Sequence, residues 1–227
     1  MARGSRRPWP LAVVRLLVAV VFGYLAACAL LLLAYRWVEP PATTVMVQRA
    51  VEAAVAGEPF SSSYRPVPES GQDSDVRHAV VASEDARFYT HNGFDRVEIE
   101  RAWADRKAGR GSRGASTITQ QLVKNLFLTT HRSFVRKGFE VPLTFLAEWI
   151  LPKDRILTLY LDVAEWGPGV FGIEAAARHH YDTSASSLTR DQAARLAAVL
   201  PAPLVRRPQD QTRTAGRIKT RMGQMGY

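Results

Sequence analysis

The sequence predicts a mainly α-helical domain carried behind one N-terminal transmembrane helix. Three observations predict it. Residues 16–35 (LLVAVVFGYLAACALLLLAY) form a run of twenty without a charge. Beyond about residue 73, apolar residues recur mostly at three- and four-residue intervals, the helical period. Alternating strand patterns are scarce in the same stretch. The chain has 227 residues, 47% hydrophobic and 22% charged. That suits one ordinary domain with appendages and is too apolar for a disordered chain. A single cysteine excludes a disulfide framework and any Cys-cluster zinc site. Lys and Arg number 30 against 21 Asp and Glu, a net charge of +9. The sign points to an anionic partner: nucleic acid, a membrane surface or a phosphate-bearing substrate.

The apolar run spans roughly 30 Å as a helix, the thickness of a hydrocarbon core. Arg3, Arg6, Arg7 and Arg15 precede it, while Arg36 and Glu39 follow. The positive excess places the N-terminus in the cytoplasm. Residues 1–15 are therefore a cytoplasmic basic tail, residues 16–36 the anchor, and the rest lies outside the cytoplasm. The run is long for a signal peptide and continues straight into Tyr35-Arg36-Trp37, which favours an uncleaved anchor. Leu25-Ala26-Ala27-Cys28 has the form of a lipoprotein cleavage box. Ala-Leu-Leu-Leu-Leu follows it, where a mature lipoprotein turns polar, so Cys28 reads as a small hydrophobe in the helix.

Residues 37–72 read as a linker with one short helix. Pro40-Pro41 breaks the chain. A helix over 43–56 follows, with Val45, Val51 and Val55 at loosely helical spacing. Residues 57–75 are rich in Ser, Pro and Gly and read as loop. The main domain occupies residues 73–227, with no internal repeat.

Residues 75–95 read DVRHAVVASEDARFYTHNGFD. Val76, Val80, Glu84 and Phe88 are spaced by four and share a helical face, with Ala79 and His91 close by. Asn92-Gly93 supplies a stop. A carboxylate between Val80 and Phe88 is costly to bury unpartnered, and desolvation raises its pKa, as in a tuned general base or acid. The plainer reading is a Glu at the rim of the apolar face. Asp85 orients Glu84, binds a cation, or is simply solvated. His91 alone reads as a satisfied structural histidine.

Residues 113–128 read RGASTITQQLVKNLFL. A loop through Gly114 leads into a helix beginning near Ser116 or Thr117, where Thr117 and Gln120 fit a capping box. Gln121 and Lys124 share one face, and Ile118, Leu122 and Leu126 share another. A loop entering a helix start suits a phosphate, but the Gly-Lys-Ser/Thr order of a P-loop is absent. The plainer reading is a well-capped surface helix with a solvated Lys124. Residues 132–140 read RSFVRKGFE. Arg132, Arg136 and Glu140 recur at four-residue spacing, with Lys137 three before Glu140. That is either a solvated ion-pair stripe or a second carboxylate held among cations near an anionic group. Pro142 predicts a kink near Gly138. From Arg101 to Lys137 there are nine Lys/Arg and one acid, a net +8 interleaved with Trp103, Leu126, Phe127 and Phe134. Basic and apolar together suit a lipid headgroup or lipid phosphate.

In their order and spacing these segments resemble the peptidoglycan glycosyltransferases of family 51, specifically the monofunctional biosynthetic transglycosylases. EDARFYTHNG resembles the first motif, GASTITQQLVKN the second, RKGFE the third, and KDRILTLYLDVAEWGPGVFGIEAAARHHY the fourth and fifth. The resemblance covers most of residues 76–204. It implies a lysozyme-like helical lobe with a small membrane-facing lobe, and polymerisation of lipid II into glycan strands with release of undecaprenyl pyrophosphate. By motif position, Glu84 would be the general base and Glu140 the second carboxylate. Lys124, Arg132, Arg136 and Lys137 would hold the pyrophosphate. Ser116, Gln121 and Asn125 match substrate-contacting or site-shaping positions. Asp85, Phe88, His91, Gly114, Thr117 and Gln120 would support the site. The cation field should lower the pKa of Glu84, opposing desolvation and keeping it ionised as a base.

The expected partners are lipid II, the lipid-linked growing chain, the bacterial inner membrane and other cell-wall synthesis proteins, with no nucleic acid. No cofactor is called for. A divalent cation, Mg or Mn, has room at the pyrophosphate, but no His/Asp cluster with metal spacing is seen, so no protein metal site is expected. The chain departs from the family pattern at Thr158 for Glu, Asp162 for Asn and His180-Tyr181 for Tyr-Phe, and Phe139 lies inside RKGFE at a variable place. They put local packing in question more than catalysis. A muramidase would act on polymer without a lipid pyrophosphate, and the +8 stretch argues against it. A non-catalytic scaffold is disfavoured by intact Glu84, Lys124, Arg136 and Glu140. The net charge then divides: residues 1–36 carry +5, residues 101–137 carry +8, and the remainder is −4.

Overall fold

The computed structural model describes residues 9–110, 114–131 and 133–227. Arg3, Arg6, Arg7 and Arg132, and the loop at 111–113, lie outside the described residues. Among those described are ten α-helices and one small sheet.

Helix α1 (Trp9–Tyr35) contains the apolar span Leu11–Tyr35, one helix long and apolar enough to cross a membrane. It does not stand free. Tyr24, Leu25, Cys28, Leu32 and Tyr35 form one stripe that packs into the main core, with Cys28 3% and Leu32 0% exposed. Cys28 is thus a buried hydrophobe, as its surroundings suggested. Arg155 ties down the end of the helix: Nε donates to Tyr35 O (2.7 Å), Nη2 to Val38 O (3.0 Å), and Nη1 pairs with Glu39 (2.7 Å).

Helix α2 (Thr44–Ala56) begins at Thr43, whose hydroxyl accepts from Met46 N (3.2 Å), and ends at Gly57 with φ 70°. The segment after it was expected to be loop throughout. It contributes β1 (Ser63–Tyr64), which pairs parallel with β3 (Val170–Phe171), and β3 pairs antiparallel with β2 (Glu165–Gly167), giving the order β1-β3-β2. Strands of two and three residues are too short to establish an alternating pattern.

The main body packs α3 (Ser74–Glu84), α5 (Ile118–Phe127), α7 (Lys153–Val163), α8 (Ile173–Tyr181), α9 (Arg190–Ala197) and α10 (Thr212–Gln224) around Val76, Val80, Ile118, Leu122, Ile156, Trp166 and Met222. Helix α4 (Arg96–Lys107) has no fully buried residue. Helix α6 (Phe134–Ile150) runs unbroken through Pro142 and lies along α1. It buries Glu140, Leu143, Thr144 and Ala147, and leaves Phe134, Val135, Phe145 and Trp149 exposed.

One expected helix is shorter than its pattern. The four-residue spacing from Val76 to Phe88 suggested a single helix reaching His91. In the structure α3 stops at Glu84, and Phe88–Thr90 is one 3-10 turn. The Asp85 side chain bonds to Ile118 N (3.1 Å) and His91 Nε2 (2.8 Å), which draws the chain out of the helix. Phe88 is still fully buried, with Lys153 Nζ 4.5 Å from its ring centre.

The departures at 158 and 180 are accommodated by neighbours. Arg77 donates to Thr158 Oγ1 (2.9 Å) and Gln72 Oε1 (3.0 Å), and pairs with Glu69 (3.2 Å) and Asp154 (3.5 Å), so it finds carboxylates without one at 158. His180 Nε2 contacts Trp166 O at 3.2 Å. Asp162 is fully buried: Oδ1 accepts from Val67 N (3.2 Å) and Gln72 Nε2 (3.3 Å), while Oδ2 has no hydrogen-bond partner among the described residues.

Candidate active site

The end of α3 and the start of α5 meet in a knot of side-chain-to-backbone bonds. Thr117 caps α5 by accepting from Gln120 N (3.2 Å), and Gln120 Oε1 returns the bond to Thr117 N (3.0 Å), the expected capping box. Thr117 Oγ1 also donates to Gly93 O (2.7 Å). Asp85 Oδ2 takes the next free amide, Ile118 N, and Oδ1 holds His91. Asp85 is buried and fully engaged, so it is not the solvated residue its position allowed. Together these bonds fix the last residue of α3, Glu84, against the first turns of α5.

Glu84 is partly buried. Its Oε2 accepts from Gln121 Nε2 (2.9 Å), and Gln121 Oε1 in turn accepts from the Tyr160 hydroxyl (2.9 Å). Burial raises the Glu84 pKa. The Gln121 bond and the charges of Lys124 and Arg206 oppose it, and Asp85 adds to it. The sequence-based expectation of a lowered pKa is therefore overturned: the cations act in the expected direction, but desolvation outweighs them. Lys124, one turn beyond Gln121, has its pKa pushed down by burial, with Glu140 and Glu84 pulling it back up. Glu140 is buried and held by Arg136 Nη1 (2.9 Å) and Lys137 Nζ.

Two adjoining chambers open on either side of Glu84. One, of ≈ 600 Å³, is lined by Glu84, Gly114, Ser116, Gln120, Gln121, Lys124, Arg136, Lys137 and Glu140, with Ser83, Thr130, Leu200 and Pro201 completing it. The other, of ≈ 290 Å³, again includes Glu84, Gly114 and Ser116, and adds Arg87, Glu98, Arg101, Thr117 and Arg221. The first brings the Glu84 carboxylate to one cleft with three cations, two of them paired with Glu140. That can hold a phosphate-bearing group beside a base.

Most of the expected site residues are brought together here. Asn125 is buried and lines neither chamber. Phe88 and His91 lie behind the site, and Arg132 falls outside the described residues. The pattern missed Thr130, Leu200, Pro201, Arg206 and Arg221, most of which arrive from the far end of the chain with no motif to mark them. The Pro-rich run PAPLVRRP, a loop signal, was the available hint.

The absence of any carboxylate–histidine cluster is also corrected. Asp85, His91 and Asp95 bring donor atoms within 4.8 Å of one another. Those atoms are largely committed to protein: Asp85 to Ile118 N and His91, and Asp95 Oδ1 to Val97 N (3.0 Å) and Glu98 N (3.1 Å) at the start of α4. His91 Nδ1 and Asp95 Oδ2 make no hydrogen bond among the described residues, and Arg87 Nε stands 3.5 Å from Asp95 Oδ2.

Comparison with known proteins agrees with this geometry. The family model described as Transglycosylase matches residues 54–226. A biosynthetic peptidoglycan transglycosylase of Pseudomonas putida (strain W619) is 46% identical over 216 residues, 93% of this chain and 92% of that protein. One from Pseudomonas aeruginosa (strain PAO1) is 44% identical over 221 residues, covering 93% of each chain. One from Chromohalobacter salexigens is 45% identical over 197 residues, 87% of this chain and 84% of that protein. The chain belongs to the transglycosylase family, and its helical body is that family's lysozyme-like domain.

Proposed function

We propose that this chain is a peptidoglycan glycosyltransferase that polymerises lipid II into glycan strands. Glu84 takes the proton from the 4-hydroxyl of an acceptor GlcNAc. That oxygen attacks the anomeric carbon of the donor MurNAc, the bond to the pyrophosphate breaks, and the configuration inverts. The electron pair leaves with undecaprenyl pyrophosphate. A sugar hydroxyl is a weak nucleophile and needs a positioned base. The developing charge on the leaving group needs fixed cations. The observation that carries the reading is that Glu84 and the Lys124–Arg136–Lys137 group line one chamber, with Glu140 holding two of the three cations in place. Arg132 takes the same role by its place in the motif. Ser116 and Gln121 shape the sugar side. Asn125 and the supporting residues Asp85, Thr117, Gln120, His91 and Phe88 act through the fold. No cofactor is assigned. A divalent cation, Mg or Mn, would be brought by the pyrophosphate rather than held by a protein cage.

In this reading the domain lies outside the bacterial inner membrane, the chain's N-terminus lies in the cytoplasm, and the exposed apolar face of α6 turns to the bilayer. Lipid II and the lipid-linked growing chain are its partners, alongside other cell-wall synthesis proteins. Nucleic acid is not.

Detergent-solubilised full-length protein given labelled lipid II should make glycan polymer, and Glu84→Gln should make none. Polymer made equally well by Glu84→Gln would remove the base assignment. Cleavage of preformed glycan without synthesis would replace polymerisation with a muramidase.

A further inference from the structure

The cations of the proposed pyrophosphate site sit on two helices. Lys124 is in the last turn of α5, and Arg136 and Lys137 are in the first turn of α6. The end of α5 and the backbone leading toward α6 are gripped from outside the site by the two N-terminal helices. The Tyr24 hydroxyl, on the membrane helix, donates to Phe127 O (2.7 Å). Its ring meets Phe139 edge-on at 5.7 Å. One side chain of α1 therefore touches both cation-bearing helices, three residues from Lys124 and one from Glu140. At the start of α2 the Thr44 hydroxyl reaches Leu128 O and lies 3.2 Å from Asn125 O. One turn on, Gln48 Nε2 donates to Thr130 Oγ1 (2.7 Å) while Gln48 Oε1 accepts from Thr130 N (2.8 Å). Thr130 itself lines the chamber.

The carbonyls that take these bonds are those a helix leaves without intrahelical partners at its C-terminal end. An end left to water frays, and Lys124 is in the turn that would fray. A half-buried tyrosine hydroxyl beside apolar neighbours also gains from a partner. The apolar stripe of Leu25, Cys28 and Leu32 and the Arg155 contacts already attach the anchor. The Tyr24, Thr44 and Gln48 bonds are aimed elsewhere, at residues 125–130.

We propose that Tyr24, Thr44 and Gln48 are positioning residues for Lys124, so that the anchor and the helix behind it set where that cation stands relative to Glu84 and α6. This rests on the pyrophosphate reading of the chamber. A displacement of the order of 1 Å at such a group carries a large rate cost.

The test uses the full chain in detergent with Tyr24→Phe, Thr44→Val, Gln48→Leu and the triple variant. Three quantities are measured: kcat and KM with lipid II, affinity for inorganic pyrophosphate by calorimetry, and the thermal midpoint. The triple variant should stay folded, lose about tenfold in kcat with KM within about twofold, and bind pyrophosphate about fivefold more weakly. In a Lys124→Gln background the same three changes should alter pyrophosphate affinity by less than about twofold, because the group they position is gone. Unchanged kcat and pyrophosphate affinity in folded variants would overturn the proposal. So would an equal loss with and without Lys124. If the triple variant does not fold, the single variants are read by the same criteria. Wild type that makes no glycan, with pyrophosphate binding that still weakens in the triple variant, would sink the polymerase reading and leave the positioning role standing. Wild type that binds no pyrophosphate would overturn the positioning role, and would overturn the polymerase reading as well if it also made no glycan.

Discussion

Burial and charge pull Glu84 in opposite directions, and burial prevails. A base must be ionised to act, so kcat/KM should fall on the acid side through a pKa above the ordinary carboxylate value of 4.5. Removing an opposing cation with Lys124→Gln should move that limb to still higher pH. A pH–rate profile checks both. The stability consequence has the opposite sign from a salt-bridged carboxylate. A group whose pKa folding raises is favoured neutral by the fold, so stability is lost as pH rises from the unfolded pKa toward the folded one. Glu84→Gln should therefore melt at a higher temperature than wild type at pH 7.5 while making no polymer.

Asp162 offers the same argument away from the cleft. Burial pushes its pKa up to about 8, with the Val67 and Gln72 bonds opposing. Its stabilising neutral form is fully present below the unfolded value near 3.8 and is lost as pH climbs toward 8. Asp162→Asn removes the charge. Its thermal midpoint should match or exceed wild type, with the gap widening between pH 5 and 8.5 to the order of a few kcal/mol.

Among the elements, the start of α5 carries the most consequence per residue. Thr117 caps the helix, reciprocates with Gln120 and reaches Gly93 O, which links α5 to the turn after α3. Thr117→Val should cost about 1–2 kcal/mol in urea denaturation and lower activity, because Gln121 rides on the same helix. Gly93 closes that turn at φ +84°, and a Cβ there would stand 2.6 Å from Thr144 Cγ2 on α6. Gly93→Ala should destabilise by about 1–3 kcal/mol by the same measurement. The capping box at Thr117 and the helix after Thr43 were legible in the sequence because caps are local. The end of α3 was not, since it depends on Asp85 bonding an amide 33 residues away. Nor was the contribution of Leu200, Pro201, Arg206 and Arg221 to the cleft, which only the packing of α9 and α10 beside α3 brings about.

At the scale of the whole molecule, the mainly helical class and the apolar anchor could be read directly from periodicity and length. What the sequence concealed is that anchor and domain share one core. The lipid-side expectation is also specific. Trp149 is 84% exposed on α6 beside the α1 face, and Phe134 is 99% exposed at the start of α6. In bilayers containing acyl-brominated lipid, Trp149 fluorescence should be quenched, and Trp149→Phe should remove that component of the quenching. Unaltered quenching in Trp149→Phe would place this face away from the acyl chains.

The stripe on α1 also bears on how the protein is made. Tyr24, Cys28 and Leu32 belong to the same core as residues near the end of the chain, such as Met222. They emerge from the ribosome first, while α6, their main neighbour, follows more than a hundred residues later. Until then the stripe has no domain to cover it, and in the proposed anchoring lipid shelters it. With the anchor in the bilayer as proposed above, insertion is an early step of folding, and the finished core is assembled across the boundary between two solvents: a helix that waits in the bilayer and a domain that closes onto it.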